Sequence, residues 1–242
     1  MSGHSKWSQI KRQKAKTDAS RGAAFSRAAR EIIVAVRQGG TPNIDANLRL
    51  RMAVDAARAI NMPMDNIKRA IERASGTAEG NYEELTYEGY GPGGVAVVVE
   101  AVTPNRKRTA ADVRYIFDRH GGNLGETGCV GWMFHKKGLV LVDEAENRRS
   151  EDDMMLLALD AGAEDLKKED TYQVVTAPDD LGQVKEALAK AGLKIESAEL
   201  TMIPTTVVEL DEEQAEKAIR LLEALEENDD VQRVYTNMGV KG

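Results

Sequence analysis

Cysteine is almost missing from this chain: Cys129 stands alone among 242 residues, so no internal disulfide can staple the fold, and the usage suits a reducing compartment. Aromatics make up only 5% of the residues, so the cores must be built from aliphatic side chains. No apolar run approaches the ~20 residues of a membrane span. The N-terminus carries lysines without the apolar stretch of a secretory signal, so a cytoplasmic protein with no membrane role is expected. The three histidines, His4, His120 and His135, are scattered, and with one thiol they make no zinc set of ordinary spacing. No Ser/His/Asp or Cys/His group with a base stands out. The expectation is therefore a non-enzyme with no catalytic residue, no metal and no cofactor. Cys129, in a strand-like stretch, reads as a small core side chain.

The glycine clusters do not change this. A phosphate-cradling loop needs the order strand, glycines, helix, so that backbone N–H groups at a helix start face the phosphates. Gly91-Pro92-Gly93-Gly94 precedes a strand, and Gly122-Asn123-Leu124-Gly125-Glu126-Thr127-Gly128 follows a helix and leads into a strand, so both have the wrong order. The acidic run Glu151-Asp152-Asp153 falls in a helix's first turn, where the dipole already accounts for it.

What is present is a strong charge asymmetry. Residues 1–75 hold 15 Lys and Arg against 6 Asp and Glu, a net of +9, while the remaining residues hold 18 against 34, a net of −16. A basic head on an acidic body suggests a segment that meets a polyanion, carried by domains that stay soluble and do not.

Hydrophobic periodicity organises the chain. Residues 5–18 read as a helix with Ser5 at its N-cap, but only Trp7 and Ile10 are large and apolar, too thin a stripe to fold alone. Phe25, Ala29, Ile32, Ile33 and Val36 line a stronger helix stopped by Gly39-Gly40. Leu48, Met52, Ala56 and Ile60 share a face of a third helix; Pro63 opens a fourth, lined by Ile67, Ala70, Ile71 and Ala74. Beyond a boundary near 76–80, strands are expected over 82–88, 95–100 and 130–134, with a helix over 107–119 carrying Phe117 on its inner face. Residues 138–203 then read as βαββαβ, with Met155, Leu156 and Leu159 on the first helix and Leu181, Val184 and Leu188 on the second. After Pro204 come a strand over 206–210, a helix from Asp211 and a strand over 231–235.

The fold class expected is α+β: an N-terminal all-helical domain followed by two ferredoxin-like (βαββαβ) α/β domains, one inserted into the other. The boundaries are 1–78 for the basic helical domain, 79–136 plus 204–242 for the discontinuous domain, and 137–203 for the acidic insert.

The candidate binding residues follow from the basic head. His4, Lys6, Trp7, Lys11, Arg12, Lys14, Lys16, Arg21, Arg27, Arg30, Arg49 and Arg51 combine phosphate-binding cations with planar groups that can stack on bases. A second phosphate patch, Asn105, Arg106, Lys107 and Arg108, sits where a strand enters a helix, so cations and backbone donors coincide.

Longer motifs carry a resemblance. The opening Met1-Ser2-Gly3-His4-Ser5-Lys6-Trp7-Ser8-Gln9-Ile10-Lys11, then Asn61-Met62-Pro63, Tyr87-Glu88-Gly89-Tyr90-Gly91-Pro92-Gly93-Gly94 and Gly121-Gly122-Asn123-Leu124-Gly125 closely resemble the YebC family over nearly the whole chain. That family includes probable transcriptional regulators and a mitochondrial translational activator. The departures are Ala23 for a lysine, Leu48 for a proline, Pro104 for an aspartate and Cys129 for a serine. The resemblance implies three domains and a non-enzymatic factor in gene expression.

Nucleic acid is thus the expected partner, through the N-terminal domain, with the acidic α/β domains left for a protein partner. No helix shows a helix-turn-helix recognition pattern. The reading accordingly leans narrowly to ribosomal RNA and a role in translation. The alternative is duplex DNA and a transcriptional regulator, and behind both stands a protein-interaction adaptor.

Overall fold

The computed structural model describes residues 21–75, 82–143, 149–168 and 171–241. The helix expected over 5–18 and the boundary at 76–80 lie outside them. The chain divides into two compact units: an insert of residues 132–207, and an outer unit formed by the residues before and after it.

The outer unit begins with three helices, α1 (Arg21–Gly39), α2 (Leu48–Ala59) and α3 (Met64–Ser75). Both α2 and α3 pack on α1. Their shared core is Ile32, Val36, Leu50, Val54 and Ile67, with small Ala53, Ala57 and Ala70 letting the helices approach closely. This corrects the face expected for α2. Leu48, at 69% exposure, Met52 and Ile60 are on the outside, and Leu50, Ala53, Val54 and Ala57 are buried. The helix carries two apolar stripes, and its start decides between them. Asn47 caps α2 by accepting from the Leu50 N–H (3.0 Å), while its Nδ2 donates to the carbonyls of Ala35 (2.8 Å) and Thr41 (3.0 Å). That anchor to α1 sets the rotation of α2 about its axis.

Gly39 makes the anchor possible, since a Cβ there would lie 2.1 Å from Asn47 Nδ2. Asn47→Ala should therefore cost about 2–3 kcal/mol, a lost cap plus the lost bonds to one buried and one part-buried carbonyl, read as a lower urea midpoint.

Behind the helices, the outer unit builds a sheet from β1 (Glu83–Tyr90), β2 (Ala96–Thr103), β3 (Asn123–Leu124) and β9 (Val231–Thr236), in the order β3-β1-β2-β9. Every neighbouring pair is antiparallel. Helices α4 (Arg106–Arg119) and α7 (Glu212–Glu227) cover one face, burying Val97, Val99, Val113, Phe117, Leu221, Leu222 and Val234. On α4 the inner residues are Thr109, Val113 and Phe117.

The insert has β4 (Phe134–Val142), α5 (Glu151–Asp160), β5 (Asp165–Lys168), β6 (Tyr172–Thr176), α6 (Leu181–Lys190) and β7 (Ile195–Pro204), in the sheet order β5-β6-β4-β7. This is the βαββαβ arrangement expected. On α6 Leu181, Val184 and Leu188 are buried as predicted. On α5 the expectation holds only for Met155, which packs partly buried against the core: Met154 and Ala158 face inward, whereas Leu156 and Leu159 are exposed. The cap explains the phase, because Ser150 accepts from the Asp153 N–H at 3.1 Å and thereby starts the helix with residues 154 and 158 on the sheet side.

Two expected strands of the outer unit are replaced. Residues 130–134 do not add a strand to its sheet: Gly131–Met133 is a 3-10 turn and Phe134 opens β4. The strand following α4 is the two-residue β3. The place of the third strand in a ferredoxin-like sheet is taken by β1, supplied from ahead of β2 rather than after β3. The segment expected over 206–210 contributes β8 (Val208–Leu210), which pairs in parallel with β10 (Met238–Val240) in a separate ribbon. Asp211 caps α7 as expected, accepting from the Gln214 N–H at 2.8 Å. Among the described residues no helix is long and apolar enough to cross a membrane.

Candidate nucleic-acid interface

Of the residues predicted to bind, His4, Lys6, Trp7, Lys11, Arg12, Lys14 and Lys16 lie outside the described residues, as does the Arg21 side chain. The remainder separate into cations held by the fold and cations left outward. Arg27 Nη1 donates to the Glu226 carbonyl at the end of α7 (2.6 Å), tying α1 to the α/β part of the same unit. Arg30 has a buried Nη1 with no hydrogen-bond partner among the described residues.

Arg49 is also a tie. Its guanidinium meets Glu31 on α1 at 3.2 Å, Glu84 on β1 and the side-chain oxygen of Gln38, while Gln38 Nε2 donates to Glu84 at 2.9 Å. Burial works against its charge, yet Glu84 and Glu31 outweigh burial and hold its pKa above the ordinary arginine value. A guanidinium gripped by two carboxylates is poorly placed to take a phosphate, and here Arg49 clasps α1 to β1. Arg51 is exposed and donates to the Asp45 carbonyl (2.8 Å).

The outward cations of the helical domain are concentrated where the sequence reading did not place them, on α3. Lys68, Arg69 and Arg73 project opposite the buried Ile67, Ala70 and Ala74. Arg69 reaches the Asp65 carbonyl (3.2 Å) and the Asn66 side chain, and α3 shows no ion pair among the described residues. The signal was available: once the inner face is assigned, the helical repeat puts these residues on the outer one. Helices α2 and α3 are joined by four residues, 60–63, with Asn61 at φ 59° making the turn. Such a link has the length found in DNA-binding helix pairs.

The second patch is divided in the same way. Asn105 caps α4, accepting from the Arg108 N–H at 3.2 Å. Arg108 Nη2 donates to the buried Asp230 carboxylate at 2.7 Å, and Thr103 and Thr109 donate their hydroxyls to the same oxygen at 3.1 and 2.8 Å. Burial alone would raise the Asp230 pKa, but the Arg108 and threonine donors overcome it and hold the carboxyl below its ordinary range. Arg108 is therefore occupied, and the charges left for a phosphate are Arg106 and Lys107, exposed and without an ion pair among the described residues. The outer face of the same helix adds Arg114, Tyr115 and Arg119, which sequence reading also missed.

A third arrangement orders the loop between β3 and β4. Glu88, buried on β1, accepts from the backbone N–H groups of Gly128 (2.8 Å), Val130 (2.9 Å) and Gly131 (2.5 Å). Burial would raise its pKa, but these donors reverse the effect and lower it. They also explain the missing strand over 130–134, since N–H groups that face Glu88 cannot enter a ladder. Cys129, expected in a strand core, sits half-buried in this loop; burial first, and the nearby Glu88 charge second, push its thiol pKa up.

Residues 5–77 match the family model described as the TACO1/YebC protein N-terminal domain, and residues 82–238 match that for the TACO1/YebC second and third domain. A probable transcriptional regulatory protein of Pelotomaculum thermopropionicum is 56% identical over 243 residues, covering 100% of both chains. One of Symbiobacterium thermophilum is 55% identical, covering 97% of this chain and 98% of its own. The crystal structure of a conserved hypothetical protein from Aquifex aeolicus superposes with a TM-score of 0.84 at 46% identity, over 94% of each chain.

Proposed function

We propose that this chain, which belongs to the TACO1/YebC family, is a nucleic-acid-binding regulator of gene expression that meets duplex DNA through its basic helical domain. Relatives from Pelotomaculum thermopropionicum and Desulforamulus reducens are named probable transcriptional regulatory proteins. The observation that carries the reading is the outer face of α3, on the net-positive part of an acidic chain, where Lys68, Arg69 and Arg73 outnumber the exposed Asp65 and Glu72 and show no ion pair among the described residues. The acidic α/β domains repel a polyanion, so they turn the helical domain towards it and leave their own surfaces for a protein partner. Regulation in this reading comes from occupancy, with no chemical step.

One observation favours a second reading. The outer face of α3 offers charge but little for base edges, because the Asn66 side chain already accepts from Arg69. Cations alone follow shape and phosphate position, which suits structured RNA and the ribosome.

Titrating the full chain against duplexes of several sequences and against ribosomes, at two salt concentrations, separates these. Binding to duplex should weaken with salt by a slope of roughly 0.9 for each phosphate neutralised. The triple variant K68E/R69E/R73E should bind duplex at least about tenfold more weakly and with a shallower slope. Unchanged affinity in that variant, or no duplex binding by the wild type, would overturn the DNA reading. Tighter binding to ribosomes than to any duplex selects the second one.

A further inference from the structure

We infer that the outer face of α4 is a separate binding site for an unpaired nucleic-acid strand, with Tyr115 as the platform on which one base stacks. Thr109, Val113 and Phe117 seat α4 on the sheet, which leaves Lys107, Arg114, Tyr115 and Arg119 on its solvent side. Tyr115 is 59% exposed. A lone exposed aromatic needs no explanation by itself, but this ring is prepared. Arg119 Nη1 donates to its hydroxyl at 2.7 Å, and the guanidinium carbon lies 5.9 Å from the ring centroid. The ring is thereby held by its own helix one turn on, with a cation beside it and more than half of the residue exposed to solvent.

The charges around it point to a phosphate backbone. Lys107 and Arg114 have no ion pair among the described residues, and Asp118 is the exposed acid on this helix. Lys107, Arg114 and Arg119 are spread over about 18 Å of helix axis, enough to follow a few nucleotides. Cations alone would serve a duplex or an acidic peptide equally. An exposed aromatic face adds something to neither, because the bases of a duplex are already stacked on one another, whereas an unpaired base has a free face to offer. The site stands on residues separate from those of α3 and does not depend on the duplex reading.

The test uses the full chain and fluorescein-labelled 12-mers of uridylate and of deoxythymidylate, with a 20-base-pair duplex and an oligoglutamate peptide alongside. Tyr115→Ala should weaken both single strands by about tenfold, the size of one lost base stack, and leave the duplex unaffected. Tyr115→Phe, which keeps the ring, should stay within about twofold of wild type. The double variant K107E/R114E should flatten the single-strand salt slope by roughly 0.7 for each contact. K68E/R69E/R73E should leave single-strand binding intact, so that loss of the α3 site is told apart from loss of this one. A preference for uridylate names RNA as the strand, and equal affinity shows stacking indifferent to the sugar; both support the site. Unchanged binding in Tyr115→Ala, equal losses on single strand and duplex, or full competition by oligoglutamate would each overturn it. Because Tyr115 is exposed, the melting temperature of each variant should match wild type, and the charge variants provide an independent route if one does not.

Discussion

Glu88→Ala is expected to lower the stability of the chain by about 3–5 kcal/mol, the range for removing one partner from a buried, hydrogen-bonded charge. The side chain is buried and collects the N–H groups of Gly128, Val130 and Gly131, while its backbone carbonyl accepts from Gly125 N–H at 2.8 Å. Alanine keeps the last of these and abandons the other three donors beneath a fully buried Val130. Gln at this position retains the shape and one carbonyl oxygen but turns an NH2 towards N–H donors, so it should cost less, about 2 kcal/mol. Urea denaturation measures the loss. Hydrogen exchange locates it, with the amides of 128, 130 and 131 losing protection before those of β2. If those amides keep wild-type protection in Glu88→Ala, Glu88 does not hold the loop.

Asp230→Ala should have the second large effect, about 3 kcal/mol, by removing the buried carboxylate oxygen that Arg108 and the hydroxyls of Thr103 and Thr109 share. It also makes a prediction that a purely structural residue would not. Arg108, released from its 2.7 Å contact, joins the outer charges of α4. Single-strand affinity should then rise while stability falls, with the salt slope steeper by up to roughly 0.7. A variant that loses both stability and affinity would mean that Arg108 is needed where it is.

Both carboxylates have pKa values held below the ordinary range, so the sign of their pH dependence follows. Each gives up its proton more readily in the folded chain than in the unfolded one. The stabilisation is complete above the unfolded carboxylate pKa, roughly pH 4–4.5, and is lost as pH falls through the lower folded value. Wild-type stability should therefore fall on acidification below about pH 4.5. Glu88→Gln and Asp230→Asn should each remove part of that slope, and identical slopes in all three proteins would assign acid unfolding to other groups.

The helix positions were legible because their signals are local. Val36 and Gly39 at the end of α1, Pro63 before α3 and Asp211 before α7 act within a turn or two of chain. The α/β insert could be read for the same reason, from β-branched runs separated by capped helices. Which face of α2 or α5 is buried was a different matter. Each helix carries apolar residues on two phases, and the choice rests on Asn47 reaching Ala35 and on the start that Ser150 sets.

The candidate site divides along the same line. By itself, the sequence determined the class of fold and the concentration of positive charge in residues 1–75, because composition and helical period need no knowledge of distant partners, and its long motifs carried the family resemblance. Only the tertiary structure decided which cations remain available. Arg49 and Arg108 look like Lys68 and Arg114 in the chain, but Glu84 and Asp230, 35 and 122 residues away, engage the first pair and leave the second to solvent. A charge is set by the residue type, whereas its pairing is set by what the fold brings within about 4 Å of it.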